Sequence, residues 1–77
     1  SDQINSMSTR GIIATCNNGI ITISGLKAQE NVTFYTVNGV QLGRAAAIDG
    51  TATFAMKASG DMVIAKFGST SMKIATK

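Results

Sequence analysis

The spacing of turn residues constrains the fold of this chain more than any other feature. Pairs such as Asn18-Gly19, Asn38-Gly39, Asp49-Gly50 and Ser59-Gly60 separate segments that are rich in isoleucine, valine and threonine. Turn signals recur roughly every eight to twelve residues, which is the spacing typical of sandwiches and barrels. Asn-Gly and Asp-Gly pairs between such segments are strong signals of β-hairpins. The pattern therefore predicts an all-β chain of short antiparallel strands.

Seven short strands fit between these turns. Their apolar residues recur at every second position, as expected where one face of a strand packs on a core. The predicted strands cover residues 12–16, 20–24, 31–37, 40–47, 51–56, 61–67 and 70–77. About seven short strands indicate an Ig-like antiparallel β-sandwich, in which two sheets pack face to face. A small open barrel is the alternative architecture.

Length and composition allow one small domain. Within the 77 residues, 1–10 are mostly polar and are interpreted as a linker or leader, whereas 11–77 form the predicted sandwich. Hydrophobic residues make up 44% of the chain and charged residues 14%, which is typical of a folded domain rather than a disordered segment. No apolar run reaches about 18 residues, so the sequence predicts no transmembrane helix.

The residue types that most enzymes need are scarce. The chain has no histidine, and its four acidic residues are far apart in sequence: Asp2, Glu30, Asp49 and Asp61. Asp49 and Asp61 adjoin glycines, where aspartate more often serves a turn than a reaction. The sequence therefore predicts a protein without catalytic residues, cofactor or metal.

The sulfur-containing residues are predicted to pack in the core. Cys16 is the sole cysteine, so neither an intrachain disulfide nor a cysteine zinc site is possible. It is interpreted as a small buried hydrophobic residue, with a reactive thiol as the alternative. Met56, Met62 and Met72 fall at positions predicted to face inward, which favours packing over haem ligation.

The positive charge is modest. The formal net charge is +3, and the basic residues are scattered along the sequence at Arg10, Lys27, Arg44, Lys57, Lys66, Lys73 and Lys77. A nucleic-acid-binding face would need clustered bases with aromatic residues for stacking. The sequence therefore does not predict a nucleic-acid partner.

Residues 60–77 are predicted to form a basic hairpin with a turn at Gly68-Ser69. An ordered hairpin of this kind suggests an element that a partner recognises. The simpler interpretation is that Lys73 and Lys77 protect an edge strand from aggregation. The chain has no proline to guard its edges, so a homodimer formed by edge pairing or strand exchange is a further hypothesis.

Three groups of residues resemble a family pattern when taken in order. The first is a hairpin motif formed by Tyr35, Asn38, Gly39 and Leu42. The second is the strand that carries Gly60, Met62 and Ile64. The third is the final group formed by Lys73, Ile74 and Lys77. Together they resemble the C-terminal sorting domain of type IX secretion cargo in Bacteroidetes, including oral species. The match departs from the family where Met62 replaces the usual aromatic residue and Val40 replaces a base.

The resemblance implies a non-catalytic secretion and sorting signal. Such domains pass through the periplasm, are recognised by the outer-membrane translocon and reach the cell surface or the medium. A sortase can then remove them and join the cargo to anionic lipopolysaccharide. The resemblance assigns recognition to Gly60, Met62, Ile64, Lys73, Ile74 and Lys77. The alternatives are a small binding module for glycan, lipopolysaccharide or protein adhesion, and a structural appendage of an enzyme.

Overall fold

The computed structural model describes residues 3–4, 11–56 and 62–76. These residues form no helix, and their strands are β1 (Gln3–Ile4), β2 (Ile13–Asn17), β3 (Ile20–Ser24), β4 (Asn31–Thr36), β5 (Gln41–Ala46), β6 (Thr51–Ala55), β7 (Met62–Phe67) and β8 (Thr70–Ala75). The strands from β2 to β8 correspond to the seven predicted ones, with ends shifted by a residue or so. The predicted turn at Ser59-Gly60 lies outside the described residues.

The strands are arranged in two antiparallel sheets. The first sheet has the order β1-β2-β3-β6, and the second has the order β5-β4-β7-β8. The chain leaves the first sheet after β3, returns for β6 and leaves again for β7. This arrangement confirms the predicted Ig-like sandwich, because two separate sheets face each other across one core. Strand β1, from the stretch interpreted as a leader, pairs with β2 through Gln3↔Cys16 and Ile4↔Thr15.

The core lies between the inner faces of the two sheets. Alternate residues of each long strand point into it, because side chains in a strand alternate between faces. Cys16 is 3% exposed and belongs to this core, which confirms its prediction as a small buried hydrophobic residue. The largest fully buried side chains are Phe34, Phe67, Ile12, Ile21, Ile23, Ile74, Val32 and Val63.

An aromatic pair joins the two sheets near one side of the core. The rings of Phe34 on β4 and Phe54 on β6 are stacked, with centroids 4.4 Å apart and ring planes 9° apart. Gly43 on β5 lies opposite Phe34 in the register. A Cβ atom at Gly43 would lie 2.6 Å from Cε1 of Phe54. The stacked ring therefore occupies the space that a side chain at residue 43 would need.

We expect Gly43→Ala to lower the free energy of unfolding by about 1–3 kcal/mol, the usual cost of overpacking. Urea denaturation gives this value. The matched control is the same substitution in a Phe54→Leu background, where the Cε1 atom is absent and the added methyl group should cost less. An equal cost in both backgrounds would contradict the steric explanation.

The prediction that Met62 faces inward on β7 was wrong. Met62 is 36% exposed and Ile64 is only partly buried, whereas Val63, Ala65 and Phe67 are buried. The run from Met62 to Ala65 is apolar at every position, so the sequence alone gives little alternation to follow. Val63 and Ala65 pair with Ile74 and Met72 of β8, respectively, which places all four side chains on the core side.

Candidate functional site

The β7–β8 hairpin is a fully paired part of the sandwich. Its register runs without interruption from Met62↔Ala75 to Phe67↔Thr70. Met72 is 2% exposed and Ile74 is 0% exposed, so β8 is anchored in the core by alternate residues. Strand β8 is the last strand of its sheet, and no strand of the described residues pairs with its outer edge. The hairpin is therefore anchored in the core while one of its backbone edges remains unpaired within the described chain.

The residues assigned to partner recognition differ in accessibility. Lys73 is exposed and points away from the core, opposite the half-buried Ile64 on β7. Ile74 is fully buried, so a partner cannot contact its side chain in the folded domain. Met62 begins β7 and is exposed. Gly60 and Lys77 lie outside the described residues.

The family hairpin motif lies next to the candidate hairpin. Tyr35 on β4 pairs with Ile64 on β7, which in turn pairs with Lys73 on β8. One row across the outer face of the sheet therefore contains a residue from each of the three groups that resemble the family pattern. Leu42 is 41% exposed and lies where the β4–β5 register shifts between Phe34 and Tyr35.

Asn38 and Gly39 form the turn between β4 and β5. The hairpin predicted there is confirmed. The turn is closed by a bond from the Thr36 N–H to the Val40 carbonyl at 2.8 Å, and the Gly39 N–H donates to the Thr36 carbonyl at 3.0 Å. The Thr36 hydroxyl oxygen accepts from the N–H groups of Asn38 and Val40 at 3.3 and 3.1 Å. These residues position the turn at the end of the sheet, directly after Tyr35, which lies in the row that contains Lys73.

A cluster of bases on the same sheet was missed from the sequence. The register places Arg44 opposite Thr33, Thr33 opposite Lys66, and Lys66 opposite Ser71. Arg44, Lys66 and Lys73 are exposed on this outer face. The Lys66 ammonium lies 5.1 Å from the centroid of the Tyr35 ring, within the range of a cation–π contact. We define the basic face as Thr33, Tyr35, Arg44, Lys66, Ser71 and Lys73.

Charge is distributed unequally between the two sides of the sandwich. The described acidic residues lie in loops: the Glu30 carboxylate accepts from the Lys27 N–H at 3.0 Å, and Asp49 lies between β5 and β6. The outward positions of β2, β3 and β6 carry no charged residue, and consist of Ile13, Thr15, Asn17, Ile20, Thr22, Ser24, Thr51, Thr53 and Ala55. The basic face is therefore a local property of the second sheet.

The described residues show no arrangement of side chains suited to holding a metal ion. They contain no group of three or more His, Cys, Asp or Glu side chains that could hold a metal ion. Likewise, none of the described segments is a helix suited to crossing a membrane. The fold and the site define an Ig-like sandwich with an open strand edge and an adjoining basic face. No protein-family model, curated protein or solved structure matches the chain.

Proposed function

We propose that this domain is a non-catalytic secretion and sorting signal, which directs the protein that carries it through the type IX outer-membrane translocon. The motif resemblance suggests this role, and one structural observation supports it. The β7–β8 hairpin is anchored by Met72 and Ile74 but leaves the outer edge of β8 unpaired within the described chain. An anchored strand with an open edge is suited to recognition by another protein.

Strand addition at β8 is the docking mode that this geometry favours. A partner strand on an open edge gains affinity from backbone hydrogen bonds, while alternate side chains provide selectivity. Ser71 and Lys73 are the exposed residues of β8 that such a partner would contact on the outer face. Met72 and Ile74, on the inner face of β8, anchor the strand in the core. Sortase cleavage and attachment of the cargo to anionic lipopolysaccharide are the later steps that the family pattern implies.

The role of the β7–β8 hairpin in sorting must be tested by a substitution that leaves the hairpin in place. Deletion of residues 69–77 would remove Met72 and Ile74 from the core, so failed export could result from unfolding alone. A substitution at an exposed position avoids this problem, because surface changes usually alter stability by less than about 0.5 kcal/mol. Lys73 is suitable because it is exposed and lies on the hairpin.

We expect the 77-residue chain to deliver a fused periplasmic reporter to the surface of a Bacteroidetes host with an active type IX translocon. Lys73→Glu should lower the surface fraction severalfold, because reversing a charge at an interface opposes a complementary partner. Accessibility of the reporter to external protease measures delivery. Lys27→Glu makes the same charge change in the β3–β4 loop and should leave delivery unchanged.

Two results would contradict the sorting function. One is equal delivery in an isogenic strain that lacks the translocon. The other is equal delivery by the reporter without this domain. Circular dichroism of each purified variant checks that Lys73→Glu remains folded, so that a loss of delivery can be attributed to recognition.

A further inference from the structure

We propose that the basic face binds a linear polysaccharide that carries carboxylate or sulfate groups. The basic face shares Ser71 and Lys73 with the strand proposed for sorting, but Arg44 and Lys66 lie on β5 and β7, so polysaccharide binding can be tested apart from sorting. Arg44, Lys66 and Lys73 come from three different strands and are exposed together. No described carboxylate lies on this face to neutralise them.

The spacing of the cations suits an extended polymer. Neighbouring strands in a sheet are about 4.8 Å apart, so the backbones at Arg44 and Lys66 are roughly 10 Å apart across β4. Lys73 lies two residues along β8 from Ser71, a distance of about 7 Å. A polymer that repeats its anionic groups from sugar to sugar could therefore reach several cations at once, which raises avidity without a deep pocket.

The polar residues between the cations favour a sugar polymer. Thr33 lies between Arg44 and Lys66 in the register, and Ser71 follows Lys66 in the same row. A hydroxyl group both donates and accepts hydrogen bonds, as sugar hydroxyls do. Each anionic group can thus be matched by a cation while the ring hydroxyls between them find polar partners on the protein.

Other extended anions fit this face less well. Single-stranded nucleic acid gains much of its affinity from bases stacked on aromatic rings. Tyr35 is the aromatic residue of the basic face, and the Lys66 ammonium already lies over its ring at 5.1 Å. An acidic peptide would gain backbone hydrogen bonds at a sheet edge, whereas the face of a sheet has its backbone groups already paired.

Polygalacturonate and heparin are the probes for carboxylate and sulfate, and amide chemical shifts of the full chain report binding. We expect both polymers to shift the amides of β4, β5, β7 and β8, with affinity falling as salt rises. Lys66→Gln and Lys73→Gln should each raise the Kd by about 3-fold to 10-fold. Lys27→Gln removes the same charge away from the face and should change the Kd by less than about 2-fold.

Three outcomes would overturn the proposal. Lys27→Gln could weaken binding as much as the two face variants, which would show that net charge alone is responsible. Neutral dextran could bind as tightly as the charged polymers. Oligo(dT) could bind more tightly than either polysaccharide, which would identify a nucleic-acid face instead. Thermal unfolding of each variant confirms that it is folded before its affinity is compared.

Discussion

Phe34→Ala is expected to lower the free energy of unfolding by about 3–5 kcal/mol, the usual cost of truncating a buried phenylalanine. Phe34 is 0% exposed and stacks on Phe54 from the opposite sheet. The substitution removes packing from both sheets and leaves a cavity. Because a domain of this length has a total stability of about 4–12 kcal/mol, the variant should be close to unfolding at room temperature.

Urea denaturation followed by circular dichroism measures this loss. Tyr35→Ala is the control, because Tyr35 neighbours Phe34 on β4 but lies on the outer face and is only partly buried. Tyr35→Ala should lower the free energy of unfolding by much less than Phe34→Ala does. A double-mutant cycle with Phe54→Ala should give a coupling of about 0.5–1.5 kcal/mol for the stacked pair. Similar losses for Phe34→Ala and Tyr35→Ala would contradict the assignment of Phe34 to the core.

Gly25→Ala is expected to lower the free energy of unfolding by about 2–5 kcal/mol, the sum of a backbone penalty and a steric penalty. Gly25 follows β3 with a φ of 87°, a conformation that residues with a Cβ atom rarely adopt. A Cβ atom there would lie 2.6 Å from the carbonyl oxygen of Gly11. Because the obstacle is backbone rather than a flexible side chain, the β2–β3 hairpin itself would have to shift.

Gly11→Ala separates the backbone penalty from the steric penalty in the cost of Gly25→Ala. Gly11 also has a positive φ, 71°, but a Cβ atom there would meet nothing within 4 Å. Its substitution should therefore cost only the backbone penalty of about 1–2 kcal/mol. Chemical denaturation of both variants under one set of conditions gives the comparison. If the two alanine variants were equally stable, the contact with the Gly11 carbonyl would not matter.

Local signals were sufficient to predict the strands and most turns. Asn18 has a φ of 53° in the turn of the β2–β3 hairpin, and Asp49 has a φ of 54° in the tight turn that connects β5 of one sheet to β6 of the other. Turn chemistry acts over a few residues, so the sequence contains all the information that it needs. The run from Ala45 to Ala47 gives a weaker strand signal than its neighbours, because alanine favours helix. Sheet pairing keeps Ala45 and Ala46 in β5.

The direction of the side chains on β7 could not be predicted in the same way. Met62, Val63, Ile64 and Ala65 are all apolar, and a shift of one residue in register exchanges the two faces of a strand. Only pairing with β4 and β8 decides which set is buried. This explains why Met62 was expected to face the core, although it is exposed.

Part of the candidate site could be predicted from the sequence. Lys73 and the hairpin that holds it were identified there, and the structure brings Tyr35 and Ile64 into the same row. Ile74 was also assigned to recognition, but it is buried and serves the core. The basic face was missed because Arg44, Lys66 and Lys73 are separated by many residues. Assigning alternate residues of each strand to opposite faces, with the correct pairing between strands, would have revealed the basic face.

Sequence alone was enough to predict the all-β class, the seven long strands and most of the turns, because these depend on residues that are neighbours along the chain. Tertiary packing sets which face of β7 is buried, which strands lie at the sheet edges, and which bases share a surface. Each of these properties depends on pairing between strands that are distant in sequence. Such pairing is set by how the whole core packs rather than by any local segment.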